Sequence, residues 1–264
     1  MNLTRIYAIF LRQVFLMRRN PARLAGFLWV VLDIFLWGFI TKFLNTLGVS
    51  GLDFIALFLG GIILWNFMIR VQQGIMTAFF EDVWSRNFLN IFASPIAIGE
   101  YLAGLVVAGV VMVLVSLILM LSIAVGFFGF SLFRIGMPLI PFFLVLFLFG
   151  MTLGIFVIAL ILRWGPSAEW IGWPLPFLLY PFSGVFYPVS VLPLPARLIS
   201  RLLPTSYVFE GMREVLASGV FSFSALAPGL ALACLFLGLA YIFFNRTYRM
   251  IVRTGMLARF GAEG

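Results

Sequence analysis

Two ionisable residues stand inside otherwise apolar runs: Asp33 in VVLDIFLW and Arg70 in FMIRVQQG. Charge at membrane depth is costly, and where it persists it pairs, faces a wet cavity or touches cargo. Asp33 lies nine residues into a run that begins near Leu24, and Arg70 lies ten residues before the end of a run that closes near Phe80. At about 1.5 Å per helical residue both sit roughly 14–15 Å deep, so they can pair. The plainer alternative ends the second run near Ile69 and projects Arg70, Gln72 and Gln73 into water.

A second constellation lies in EDVWSRNFLNIFASPIAIGE, residues 81–100. Trp84, Phe88 and Phe92 recur every four residues and form one apolar stripe, with Ser85, Arg86, Asn87 and Asn90 on other faces. Ser94 and Pro95 end that helix. An exposed aromatic stripe needs a cover; a partner protein supplies one, and the membrane surface is the other candidate. Further along, Glu210 and Arg213 are neighbours at i, i+3 and read as a local ion pair, or as charges that gate a mouth.

Several chemistries are missing from the residue inventory. The chain has no histidine, the commonest general base, proton relay and metal ligand. Its one lysine, Lys42, follows Thr41 and sits in no GxxxxGK[ST] phosphate loop. No nucleophile and base converge in the sequence, and the lone Cys234 lies in an apolar run where filling the core is its ordinary role. Neither ATP hydrolysis by this chain nor a bound cofactor or metal is expected. Transport, or a structural role in a larger complex, remains.

The elements that position these residues are membrane helices. Of 264 residues, 64% are hydrophobic and only 10% charged, and about 20 apolar residues suffice to cross a bilayer as a helix. Six all-α spans are expected, at about 24–44, 54–80, 101–127, 137–162, 168–187 and 226–245. They leave no room for a separate globular domain, so residues 1–264 read as one transmembrane domain. Arg12, Arg18 and Arg19 interrupt any signal-peptide core. Arg5, Arg12 and Arg19 instead fall at heptad spacing on one face of residues 1–23, with Ile6, Ile9, Phe10, Val14 and Met17 on another, which fits an amphipathic helix in the membrane interface; a plain basic tail is the alternative.

A net charge of +8 in a soluble protein would point to nucleic acid. Here no nucleic acid partner is expected, because the arginines cluster at the ends of apolar runs. With both termini in the cytoplasm, 11 of the 17 Lys and Arg residues fall inside, five outside, and Arg70 within a span, as the positive-inside rule requires. Gly150 and Gly154 form a GxxxG pair, which lets two helices approach closely, within the chain or between subunits.

Between the fifth and sixth spans runs WPLPFLLYPFSGVFYPVSVLPLPARLISRLLPTSYVFEGMRE, Trp173 to Glu214. Its prolines, among them Pro188, Pro193 and Pro204, each remove a backbone donor and exclude one straight helix. Broken helices persist in a bilayer only where protein or a wet cavity covers them. A re-entrant region of short pieces over 188–214 is therefore expected, with Thr205 or Ser206 capping its last helix.

Taken together, the basic start, WSRNFLNIFASP and SGVFYPVSVLPLPARLISRLLPTSYVFEGMR resemble the membrane permease subunits of ABC type-2 exporters over nearly the whole chain. The run PVSVLP at Pro188 to Pro193, then Pro204 and Arg213, is the most specific part. The resemblance implies a permease half that pairs with a second permease copy, identical or related. It also implies a separate nucleotide-binding ATPase, which holds the ATP and Mg, in a bacterial-type cytoplasmic membrane among membrane lipids. By position, Trp84 to Phe92 would be the coupling helix that docks on the ATPase, Arg5 to Arg19 the gate helix beside it, and Phe182 to Arg213 the outer gate. Cargo implied by the resemblance includes lipid-linked polysaccharides, other lipids and drugs. An ion-coupled secondary transporter using Asp33 and Arg70, with Glu100 as a further candidate relay, or a non-transporting assembly subunit, are the rival classes.

Overall fold

A computed structural model describes residues 2–19, 22–46, 54–85, 91 and 94–254, and every regular element among them is helical. In chain order these are α1 (Leu3–Arg19), α2 (Ala22–Thr46), α3 (Phe54–Trp84), α4 (Ile98–Phe128), α5 (Leu139–Trp164), α6 (Glu169–Gly172), α7 (Leu175–Ser183), α8 (Leu194–Arg201), α9 (Pro204–Ser218) and α10 (Phe223–Thr254). Five of them, α2, α3, α4, α5 and α10, are long and apolar enough to cross a membrane.

The five long helices are not equivalent. α3 and α5 form the centre: α3 packs against α2, α4 and α5, and α10 lies on the far side of α5. Trp65, Phe79, Phe80 and Phe142 are fully buried there. α2 and α10 instead turn long apolar flanks outward, with Trp29 73% and Leu235 56% exposed, as lipid-facing helices do. Cys234 is on that exposed flank of α10, not in the core where the apolar run had placed it. The apolar run around it therefore marks an outward flank of the bundle, not its core.

The GxxxG pair serves the interior. A Cβ on Gly150 would come within 2.7 Å of the Met68 carbonyl oxygen, and one on Gly154 within 3.1 Å of Ile75 Cβ. Both glycines therefore face α3 and bring the two central helices together, so this motif is used inside the chain and not at a subunit interface.

Residues 168–187 do not form a single long helix. They run as the 3-10 turn Pro166–Ala168, then α6, then α7, none longer than nine residues. Pro174 and Pro176 cannot donate to the preceding turn and so interrupt the ladder. Trp173 (φ −70°, ψ −49°) and Pro174 (φ −78°, ψ −14°) still keep right-handed helical angles, so the backbone holds its helical sense through the junction.

Between Gly184 and Ser206 the prolines sit where helices begin. Pro188 precedes a 3-10 turn at Val189–Val191, Pro193 precedes α8, and Pro204 opens α9. A helix's first residues have no intrahelical partner for their N–H, so a proline there forfeits nothing. Thr205 and Ser206 do not cap α9. Leu203 holds that place, and the two hydroxyls donate elsewhere: Thr205 Oγ1 to Ser183 Oγ (3.0 Å), Ser206 Oγ to the Ser200 (2.6 Å) and Leu203 (2.8 Å) carbonyls.

Candidate functional site

A cavity of about 1060 Å³ runs along one face of α3 and is walled by α2, α4 and the α6–α7 pieces. Asn66, Arg70, Gln73, Thr77 and Glu81 line it. Their spacing of three or four residues puts them on one helical stripe. Opposite them α2 contributes Asp33, and the aromatic lining includes Trp37, Trp65 and Tyr180. The stripe explains why α3 continues beyond Ile69: its polar residues face the cavity while Val71, Ile75, Phe79 and Phe80 are buried on the other side. The helix itself runs on past Ile69, and Gln72 is buried in the bundle rather than projecting into water.

Asp33 and Arg70 are both half-buried in this cavity, close enough for electrostatic attraction, yet they form no ion pair with each other. Asn66 Nδ2 donates to Asp33 Oδ2 at 2.6 Å, and Arg70 Nη1 donates to Gln73 Oε1 at 3.1 Å. Each charge is thus held by a neutral amide of α3. Arg70 Nε is buried and has no partner.

At the C-terminal end of α3 a second constellation joins three elements. Asp82, fully buried, pairs with Arg12 of α1 (Nη2 to Oδ1, 2.5 Å) and accepts from Tyr101 Oη of α4 (2.6 Å). Glu100 accepts from Arg5 Nη1 (3.2 Å) and from the Asn2 and Ala97 backbone N–H groups (2.7 and 3.1 Å). Gln13 Nε2 donates to the Ala78 carbonyl (3.1 Å).

The side of α1 that meets the bundle therefore carries Arg5, Ile9, Arg12 and Gln13, whereas Tyr7 and Phe15 are exposed. This differs from the expected division into a basic face and an apolar face. The arginines turn inward because two carboxylates wait there. Gly104 allows the approach: a Cβ on it would lie 2.5 Å from Ile9 Cγ2. Arg19 closes α1, and its side chain lies outside the described residues.

The segment expected as a loop over 81–100 is shorter than its boundaries predicted. α3 extends through Trp84 and α4 begins at Ile98. Helix survives past Phe80 because Asp82 finds a cation and a phenol instead of water. Trp84, 55% exposed, stacks on Phe80 with ring centroids 5.3 Å apart, and Ser85 is in the following turn. Arg86, Asn87, Phe88, Asn90 and Phe92 lie outside the described residues.

The third constellation caps the opposite end, where Gly60 and Gly61 of α3 meet Met212 and Val185. Glu210 Oε1 accepts from Arg213 Nη2 (2.9 Å) and from the Val189 N–H (2.6 Å), and Arg213 Nη1 donates to the Gly184 carbonyl (2.7 Å). Arg197 Nη2 donates to the Ser190 (2.5 Å) and Leu192 (3.1 Å) carbonyls. The i, i+3 pair is present as expected, and it also ties α9 to the turns on either side of Pro188.

Asp82, Tyr101 and Gln13 were not singled out from the sequence, and Glu100 was read there only as a further candidate relay for the ion-coupled alternative. Little local marks them, since apart from the Ala97 N–H on Glu100 each partner lies 19 to 98 residues away. The stripe from Asn66 to Glu81 was visible as a spacing, but Gln72, which faces the other way and donates to the Gly172 carbonyl at 3.0 Å, blurs it.

Comparison with known families matches residues 4–217 to the model described as ABC-2 type transporter. A comparison with individual curated proteins finds no match. A match over most of the chain, on a bundle of five span-length helices that holds a polar-striped cavity, shows that the protein belongs to the ABC-2 type transporter family as a multi-pass membrane permease component.

Proposed function

We propose that this chain is the membrane half of an ATP-driven exporter that moves a lipid-linked, polysaccharide or amphipathic drug-like substrate out of the cytoplasm. The observation that carries the reading is the cavity along α3. Its lining extends from Ile62 to Trp84, about 33 Å at 1.5 Å per residue, which is the thickness of a bilayer's hydrocarbon core. The polar stripe within that lining, Asn66 to Glu81, covers about 22 Å of it, and inside an apolar bundle it has little use except to meet something that crosses. Family membership implies an ABC ATPase as partner, since ABC-2 permeases are transport subunits and not catalysts.

In this reading the pieces within 168–187 make the fifth of six crossings, both termini are cytoplasmic, and a second copy of the permease completes the pathway. The α1 clamp then lies on the cytoplasmic side beside residues 84–92, which dock on the ATPase as a coupling helix. When the ATPase moves that segment, Arg12–Asp82 and Arg5–Glu100 carry α1 with α3 and α4. Glu210 and Arg213, with the turns at Pro188 and Pro193, hold the outer gate.

The test is recovery of the detergent-solubilised chain from its native membrane, with and without Trp84→Glu and Phe88→Glu. An ATPase bearing a phosphate-binding loop is expected to accompany the unaltered chain and to be lost from the double variant. Absence of any such ATPase, under conditions that keep other membrane complexes whole, would sink the reading.

A further inference from the structure

Asp33 and Arg70 present an arrangement that the transporter reading does not by itself require. Two opposite charges line one cavity, near enough to attract, and neither neutralises the other. Asn66 is fixed by two bonds, to Asp33 and to the Ile62 carbonyl (3.0 Å), and Gln73 engages Arg70. Unlike charges held apart in an apolar surrounding keep much of their desolvation penalty uncompensated. Such an arrangement persists where the separated charges meet something of complementary charge.

The capacity left over on each group defines that complement. A guanidinium offers five N–H donors in a planar fork, and of Arg70's only Nη1 has a hydrogen-bond partner here, while Nε is buried and empty-handed. A carboxylate has about four lone-pair sites, of which Asn66 and Trp37 occupy two on Asp33. Around Asp33 stand Trp37, Trp65 and Tyr180, the last two with ring centroids 4.7 Å apart. Aromatic faces beside a carboxylate suit an organic cation, and an arginine fork suits a phosphate or carboxylate. Glu81 is eleven residues from Arg70 along α3, about 16 Å, so it does not alter the balance at this level.

We infer that the cavity binds the head group of a zwitterionic amphiphile, its cationic nitrogen against Asp33 and the α2–α7 aromatics, its anionic oxygens on Arg70. Apolar tails leave along the exposed flank of α2, where Trp29, Leu32 and Leu36 face outward. This deepens the exporter reading by naming the class of cargo, and rests on it for transport. Binding itself requires no ATPase, so the two readings fail separately.

The experiment uses the full chain held in amphipol. Trp29, Trp37, Trp65, Trp84 and Trp173, five of its seven tryptophans, line the cavity, so intrinsic fluorescence reports occupancy. Four probes of matched tail length are titrated: an alkyl phosphocholine, an alkyl phosphate, an alkyl trimethylammonium and an alkyl glucoside. Saturable binding is expected to be tightest for the phosphocholine, by roughly tenfold over either singly charged probe, the worth of one charge-assisted contact. Asp33→Asn should erase the advantage over the phosphate, and Arg70→Gln the advantage over the trimethylammonium. If the glucoside binds as tightly as the phosphocholine, or all four quench alike, the inference is overturned. The ranking in the unaltered chain decides this even if the Arg70 variant does not fold. Loss of zwitterion selectivity with ATPase recovery intact would leave the exporter reading standing.

Discussion

The two ends of the bundle are held by different kinds of contact. At the α1 end the bonds join residues far apart in sequence, Arg12 to Asp82 and Arg5 to Glu100, and at their centre is a carboxylate with no exposure. At the other end Glu210, Arg213, Arg197 and Ser206 reach partners no more than 29 residues away, several of them backbone carbonyls of the same few turns. The first end couples separate helices and fails as a unit. The second is a self-knit cap, in which each bond steadies its own neighbourhood.

The largest effect is therefore expected at Asp82. Replacing it with Leu leaves the Arg12 guanidinium against an apolar wall, and breaking a buried pair from one side costs about 3–5 kcal/mol. Arg12→Leu does the same to Asp82, although Tyr101 still donates to the carboxylate. The double variant should be markedly less damaged than the sum of the two, because replacing both partners by apolar groups is often near neutral. Thermal unfolding of the purified variants, arranged as a double-mutant cycle, measures this. Additive losses would show that the two residues do not act as a pair and would remove the contrast between the ends.

That contrast also separates what the sequence made legible from what it hid. Glu210 and Arg213 could be paired by eye, because helix geometry puts i and i+3 together whatever the rest of the chain does. The long apolar helices were readable for the same reason, since a run of some 20 apolar residues is itself the signal. Asp82 and Glu100 were not, because their meaning depends on where α1 lands, and no spacing within 81–100 contains that. The heptad-spaced arginines read as one face of an interfacial helix, and two of them, Arg5 and Arg12, proved to meet carboxylates. The sequence likewise placed Asp33 and Arg70 at one depth, but which groups would hold each of them depended on the relative rotation of α2 and α3.

A smaller effect is expected when Arg213 becomes Met. The change removes the bond to the Gly184 carbonyl and the ion pair with Glu210 while keeping most of the side chain's bulk. Losing a charge-assisted bond to a half-buried carbonyl costs about 1.5–3 kcal/mol, less wherever the carbonyl recovers a water. Because the contact is local, the loss should appear as faster proteolytic cleavage between Gly184 and Pro193 at nearly unchanged global melting temperature. A melting temperature that falls as far as in the Asp82 variant would show that the cap is as integral to the bundle as the α1 clamp.

Glu210→Gln sharpens the comparison at its lower limit. The substitution keeps an oxygen able to accept from the Val189 N–H and the Arg213 fork, and removes only the charge. Glu210 is 43% exposed at its side chain, so solvent already screens much of the attraction, and exposed pairs are worth about 0–1 kcal/mol. The expected change in stability is accordingly at most about 1 kcal/mol, and it should shrink further as salt rises. Glu210→Ala should cost more than Glu210→Gln, since it also strands the Val189 N–H, whose bond at 2.6 Å fixes the turn after Pro188. If Gln and Ala prove equally harmful at low and high salt, charge outweighs hydrogen bonding in the cap, and the two ends of the molecule are held by the same physics after all.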